Sequence, residues 1–230
     1  MREILLDSGR WKTEQLSDTG SPATDHWLLP PKSPRADHLH IGLTTTFRAL
    51  SNALPMGKTN YFQWLDEAER MGGSGTYYRP PEHAESWLFF EASLARVMLE
   101  VVRAVTVERE LGLAIRPHPF EREDRYNYFR RISEGRATVS KEGPISDWLD
   151  GCGVLFTCLS ASSIDAFVRG IPVVSLKGLV DADAVRKIPA AFHYPHEDLM
   201  WQLHDRDQIS EYVSLASEGK LSRCQDEAKM

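Results

Sequence analysis

Short apolar runs alternate with amphipathic, helix-like segments between residues 111 and 176. The apolar runs cover 113–115, 136–139, 154–157 and 171–176, and helix candidates begin near Glu121, Ile145 and Ser163. Short apolar strands that alternate with helices are typical of a parallel sheet covered by helices on both faces. We therefore predict an α/β domain with a Rossmann-like parallel sheet in this part of the chain.

The remaining patterns place this sheet in a C-terminal domain. Residues 82–111 form the longest helical pattern, with apolar positions at three- and four-residue steps. Weaker patterns predict strands at 3–7 and 38–43, and helices at 182–188 and 205–217, the last with Asp205 or Asp207 as N-cap. We predict a reduced N-terminal α/β region at 1–81 and a Rossmann-like domain at 82–230 that begins with the long helix.

Polar clusters follow two of the predicted strands. Arg116-Pro-His-Pro119 comes directly after the strand at 113–115, and Ser160-Ala-Ser-Ser163 follows the strand at 154–157. In open parallel sheets, ligands bind beyond the C-terminal ends of the strands. These two clusters therefore predict a binding site.

The prolines on both sides of His118 restrict the backbone and remove N–H donors. An imidazole on such a stiff turn is able to donate a hydrogen bond to a phosphate or a leaving-group oxygen. Arg116 would add a charge-assisted contact to an anion. A helix cap or a buried polar network explains the same residues equally well.

The serine cluster precedes a predicted helix, where Ser162 or Ser163 is a natural N-cap. Free backbone N–H groups and hydroxyls at a helix start also form a site for phosphate. Asp165 in the first turn is placed to accept hydrogen bonds from ribose hydroxyls, or it only complements the helix dipole.

The segments RPHPFE, GPISDWLDGCGVLFT and SASSIDAFVRGIPVV resemble the C-terminal, nucleotide-binding half of GT-B glycosyltransferases. The resemblance is to bacterial enzymes of surface-carbohydrate and capsule biosynthesis, including sialyl- and Kdo-transferases that use CMP-sugars. It implies a GT-B-like fold in which His118 and Pro119 of an HP motif meet the nucleotide phosphate together with Ser160, Ser162 and Ser163. Asp165 would then bind the ribose.

By the same resemblance, the chain would transfer a sugar from a CMP- or UDP-linked donor, with CMP favoured, to a glycan or lipid-linked glycan acceptor in capsule or O-antigen biosynthesis. The general base would be a carboxylate in the N-terminal region. Asp7 matches best, and Glu82 and Glu85 are the alternatives. From the residues alone, an Asx-type turn without any chemistry is the better explanation of Asp7. No DxD-like metal motif stands where a nucleotide-diphosphate sugar would need one, so we expect a metal-independent reaction with no cofactor beyond the donor.

Composition limits the cellular locations and the classes of binding partner that we expect for this protein. The net charge of −6 argues against general nucleic-acid binding, which depends on neutralising phosphates. The three cysteines form no CxxC pair, and their odd, sparse count favours a reducing compartment. Cys152 and Cys158 flank a predicted strand and are expected to be core residues. No run reaches the ~20 apolar residues that span a bilayer. We expect a cytoplasmic protein with at most peripheral contact to the inner face of the cytoplasmic membrane.

The length of 230 residues leaves three functions open. A complete GT-B enzyme has two such domains, so this chain would be an enzyme with a reduced N-terminal domain or one that needs a second glycosyltransferase chain. The alternatives are a non-catalytic, GT-B-derived nucleotide-binding subunit, and a related sugar-nucleotide epimerase or glycerophosphotransferase.

Overall fold

The computed structural model of the chain describes residues 40–47, 81–119, 121–187 and 195–222, with the backbone alone at 81–85 and 195–196. All of them belong to one compact unit, Lys32–Met230. The strand predicted at 3–7, which contains Asp7, lies outside the described residues. The same holds for Cys224.

The described residues form a six-stranded sheet in the order β3-β2-β1-β4-β5-β6. Every pair of neighbouring strands is parallel. The strands are β1 (His40–Thr44), β2 (Leu113–Arg116), β3 (Ala137–Val139), β4 (Cys152–Thr157), β5 (Val173–Ser175) and β6 (Trp201–Gln202). This is the strand order of doubly wound Rossmann folds, so the prediction of a Rossmann-like α/β sheet is confirmed.

Two features of the sheet differ from the sequence-based prediction. β1 pairs with β2 on one side and with β4 on the other, so the sheet includes residues that precede the boundary predicted at residue 82. β6 was not predicted, because its two residues are too few to carry an alternating pattern. Residues 1–39 and 48–80 lie outside the described residues, so the reduced N-terminal region at 1–81 stays a prediction.

Helices follow most of the strands. They are α1 (Pro81–Arg103), α2 (Asn127–Ile132), α3 (Ile145–Leu149), α4 (Ser162–Val168), α5 (Ala182–Arg186) and α6 (Asp207–Ser217). A π-helical turn, Ala104–Glu108, continues α1, and 3₁₀ turns occupy Glu123–Tyr126, Lys177–Leu179 and Pro195–Leu199. The N-cap of α6 is Arg206 instead of the predicted aspartates, although the Asp205 carboxylate accepts from the backbone N of Asp207 at 3.0 Å. None of the described helices is long and apolar enough to cross a bilayer.

Apolar side chains cover both faces of the sheet. Val154 and Phe156 of β4 pack on the face that α1 and α6 cover, whereas Leu155 packs on the face covered by α3 and α4. Successive residues of a strand point to opposite faces, so a strand that is apolar throughout is buried on both sides. Cys152 and Cys158 are buried and free, which agrees with their prediction as core residues.

Gly42 sits at the centre of β1, opposite Ala114 on one side and Leu155 on the other. A Cβ atom at this position would lie 2.8 Å from the sulfur of Cys152 and 2.9 Å from the Trp148 ring. Both distances are below van der Waals contact, so only glycine fits without movement of its neighbours.

We expect Gly42→Ala to lower the free energy of unfolding by about 1–3 kcal/mol, since the added methyl group overpacks the sheet. Gly112→Ala is the matched control, because a Cβ atom there meets nothing within 4 Å. Urea denaturation of the three proteins measures the difference. Equal destabilisation by the two variants would contradict this account of the packing.

Candidate functional site

A cleft of about 340 Å³ opens at the C-terminal ends of β1, β2 and β4. The chain runs outward from β1 through β2 to β3, and outward in the other direction from β4 to β6, so the strand order reverses between β1 and β4. Doubly wound sheets bind ligands at this switch point. The cleft is lined by Thr44, Thr45, Thr46, Arg116, Pro117, His118, Pro119, Ile145, Leu159, Ser160, Ala161, Ser162 and Asp165.

The cleft brings together six of the predicted site residues from two separate loops. These are Arg116, His118, Pro119, Ser160, Ser162 and Asp165. Ser163 does not line it. Asp7 lies outside the described residues, and Glu82 and Glu85 lie in the part of α1 that is described by its backbone alone.

The serine loop, residues 158–163, turns sharply after β4. Leu159 adopts a left-handed conformation with φ of 47°, which costs a non-glycine residue about 1–2 kcal/mol. The hydroxyls of Ser160 and Ser162 are 2.7 Å apart, and both side chains line the cleft. The turn therefore presents two adjacent hydroxyl groups at the end of a central strand.

Ser163 has a different role from the predicted phosphate contact. It is buried, and both its hydroxyl and its backbone N donate to the carbonyl oxygen of Ser160, at 2.6 and 3.1 Å. The N-cap of α4 is Ala161, with no side-chain cap, so the prediction of Ser162 or Ser163 as N-cap is wrong. The Ser163 side chain points inward, and its hydroxyl stabilises the serine loop through the Ser160 carbonyl.

The His-Pro loop, residues 116–121, forms the opposite wall. The Arg116 guanidinium donates to the carbonyl oxygens of Glu142 and Gly143, both at 2.5 Å. Partial burial lowers the pKa of Arg116, although Glu123 acts in the opposite direction. Two of its terminal nitrogens thus brace the turn that leads into α3, which is a structural role beside the predicted anion contact.

The backbone of His118 is fixed by Glu121 in both directions. The Glu121 backbone N donates to the His118 carbonyl oxygen at 2.8 Å, and the His118 backbone N donates to Oε2 of Glu121 at 3.1 Å. Lys141 Nζ holds the same loop from outside through the carbonyl oxygens of Pro119 and Glu121. The partly buried imidazole of His118 lines the cleft.

Glu121 itself was not among the predicted site residues. Its side chain is fully buried, and its carboxylate accepts hydrogen bonds from the hydroxyls of Thr45 and Tyr126 and from the backbone N–H groups of Phe47 and His118. In the sequence, Glu121 stands at the start of a helix candidate, where an exposed acid is the ordinary case. Nothing in the neighbouring sequence distinguishes a buried acid from an exposed acid at this position.

The floor of the cleft is formed by Thr44, Thr45 and Thr46, which were not predicted as site residues either. The Thr44 hydroxyl lies 2.6 Å from that of Thr157 at the end of β4, and Thr46 donates weakly to the Cys158 carbonyl oxygen at 3.5 Å. The hydrogen bond between these two hydroxyls therefore joins the ends of β1 and β4 at the floor of the cleft.

Burial raises the pKa of Glu121, while hydrogen bonds from Thr45, Tyr126, His118 and Phe47 lower it in part. Burial and the neighbouring Glu121 carboxylate also raise the pKa of Tyr126, so its phenol is a constant hydrogen-bond donor.

Over the part of the chain that the structure describes, no three His, Cys, Asp or Glu side chains are grouped so that they would hold a metal ion.

Ser163→Ala should lower the free energy of unfolding by about 1–2 kcal/mol, since it removes the hydrogen bond from the buried Ser163 hydroxyl to the Ser160 carbonyl oxygen. Ser162→Ala is the matched control, because this hydroxyl is partly exposed. Thermal denaturation distinguishes them. A larger loss for Ser162→Ala would show that the serine loop is held differently.

The raised pKa of Glu121 predicts how stability depends on pH. The unfolded chain loses this proton near the ordinary value of 4.5, whereas the folded chain keeps it to a higher pH. The contribution of the protonated Glu121 to the free energy of unfolding is therefore fully present below pH 4.5, and it declines as pH rises through the pKa of Glu121 in the folded chain. We expect the stability difference between the wild type and Glu121→Gln to fall over this range in urea titrations. A difference that increases with pH would contradict the direction of the shift.

No protein-family model matches the chain, and neither a curated protein nor a solved structure shows significant similarity to it.

Proposed function

We propose that the cleft binds the nucleotide of a nucleotide-sugar donor, and that the chain is a GT-B-type glycosyltransferase of bacterial surface polysaccharide biosynthesis. One observation carries this proposal. The His-Pro loop and the serine loop, which are separated in the sequence by residues 122–157, form the two walls of one cleft at the switch point of a Rossmann-like sheet. Nucleotides bind at this place in many folds of this kind.

The side chains of the cleft suit a nucleotide with a single phosphate. The hydroxyls of Ser160 and Ser162 and the imidazole of His118 supply donors for the phosphate oxygens, and Asp165 supplies an acceptor for ribose hydroxyls. Among the described lining residues, the cationic side chains are Arg116 and the titratable His118. So small a positive charge fits the one negative charge of a CMP-sugar better than a diphosphate.

The reaction we propose is a direct transfer. The hydroxyl oxygen of the acceptor, a glycan or lipid-linked glycan, attacks the anomeric carbon of the donor. The bond from that carbon to the phosphate oxygen breaks, and the nucleotide leaves with the electron pair. A carboxylate takes the proton of the acceptor, and His118 donates a hydrogen bond to the departing phosphate. Asp7 is the proposed base, with Glu82 and Glu85 as alternatives.

A nucleotide-binding subunit without transferase activity is the second candidate. Asp165 is the one carboxylate among the described residues that line the cleft, and the proposal assigns it to the ribose. The base must then come from another part of the chain or from a second glycosyltransferase chain. Turnover of the donor without any glycan acceptor would instead indicate an epimerase or a glycerophosphotransferase.

CMP should raise the melting temperature of the protein, by several degrees when its concentration is about 100 times the dissociation constant. His118→Ala should weaken the binding about tenfold or more, since a charge-assisted hydrogen bond to the phosphate is lost. His204→Ala is the matched control, because this exposed histidine lies in the loop after β6, away from the lining residues. Thermal shift and calorimetry with CMP, UDP and their sugar conjugates make the measurement.

The outcomes separate the candidates. The absence of binding by any nucleotide, or equal binding by the wild type and His118→Ala, would overturn the proposed site. Binding without transfer to added glycan acceptors would favour the non-catalytic subunit. Transfer that depends on both His118 and a donor would support the enzyme.

A further inference from the structure

The carboxylate of Glu121 connects the loop that follows β1 with the loop that follows β2. Its Oε1 accepts from the backbone N–H of Phe47, in the loop after β1. Its Oε2 accepts from the backbone N–H of His118, in the loop after β2, and from the Thr45 hydroxyl. The hydrogen bond from Thr45 N to the Arg116 carbonyl oxygen, at 3.2 Å, continues the pairing of the two strands just past the end of β1. Beyond that bond, Glu121 extends the connection into the cleft walls.

Burial of this carboxylate carries a cost in free energy. The donors to Glu121 are hydroxyl and amide groups, and no cation pairs with it among the residues that the structure describes. An ionised carboxylate that is fully buried loses its hydration, which neutral donors only partly replace. An apolar side chain would avoid that cost but would leave the backbone N–H groups of Phe47 and His118 without this acceptor. The connection between the loops is what the carboxylate adds.

The same contacts decide which groups remain for a ligand. The N–H groups of Phe47 and His118 point to Glu121, so recognition in the cleft depends on side chains such as the His118 imidazole. The orientation of the His118 ring depends on the position of the His118 backbone. Glu121 fixes that backbone by hydrogen bonds to both its N–H and its carbonyl oxygen.

We propose that Glu121 is a positioning residue of the cleft, which fixes the loop after β1 against the His-Pro loop and thereby orients His118 toward the ligand. This inference rests on the proposed nucleotide site for its effect on binding. Its effect on the two loops is a property of the protein without any ligand, so the two are tested separately.

Glu121→Gln preserves the size of the side chain but replaces one acceptor oxygen with an NH₂ donor, which cannot accept from Phe47 or His118. In hydrogen exchange followed by NMR, we expect the amide of at least one of these two residues to exchange about tenfold faster, while Leu43 and Ile115 in the strands keep their protection. The imidazole resonances of His118 should shift in the same variant. The affinity for CMP should fall about tenfold, as expected when the ring is no longer oriented.

Two variants serve as controls. Tyr126→Phe removes a hydroxyl donor from the same carboxylate but leaves the backbone contacts to both loops, so the exchange of Phe47 and His118 should change less than about threefold. Asp150→Asn weakens the buried ion pair with Arg169 at the opposite end of the sheet. It controls for loss of stability, and it should leave the His118 resonances and the affinity for CMP unchanged.

Unchanged exchange of both amides in Glu121→Gln would overturn the proposal, and so would faster exchange with unchanged His118 resonances. An unchanged CMP affinity beside altered loops would overturn it as well. If the wild type binds no nucleotide, the proposed function fails, and the exchange and imidazole data alone decide on Glu121. If Glu121→Gln does not fold, the wild type supplies the test. The amides of Phe47 and His118 should then open with the same free energy, and clearly different values would overturn the proposal.

Discussion

The pairing of β1 between β2 and β4 is the constraint on which the rest of the described structure depends. Because all three strands run parallel, the loops that follow them leave the sheet at the same edge. The threonines after β1, the His-Pro loop after β2 and the serine loop after β4 therefore meet around one cleft. The close approach at Gly42, where no side chain fits, allows Trp148 and Cys152 to pack against this central strand.

Polar groups hold the cleft walls in place. Glu121 joins two loops, Arg116 braces the turn before α3, and Ser163 closes the serine loop on itself. Each of these side chains donates to or accepts from backbone groups of the loops around the cleft. Leu159 adds a left-handed backbone conformation at the same place, and such conformations persist only where the surrounding contacts enforce them. These contacts are present without any ligand, as is usual for small-molecule sites.

The architecture and the chemistry support different parts of the functional proposal. A Rossmann-like sheet with a cleft at its switch point supports the proposed binding of a nucleotide, but this architecture is shared by many unrelated activities. The case for glycosyl transfer comes from the identities of the cleft residues, His118 and the two cleft serines in particular, and from their resemblance to the HP and serine motifs of GT-B enzymes. Catalysis also needs a base for the acceptor, and the lining residues in the described part of the chain do not supply one beside Asp165.

Local pattern in the sequence was sufficient for the strands from 113 to 176, for their parallel arrangement and for the convergence of His118, Ser160, Ser162 and Asp165 at one edge. These features follow from hydrophobic periodicity and from the rule that parallel strands share an edge. Only the tertiary structure decided that β1 lies at the centre of the sheet, that Ser163 turns inward and that Glu121 is buried. The physical reason is that each depends on contacts between distant segments, such as the 76 residues that separate Thr45 from Glu121. A charged side chain carries no local mark of whether folding will bring it to solvent or to buried donors.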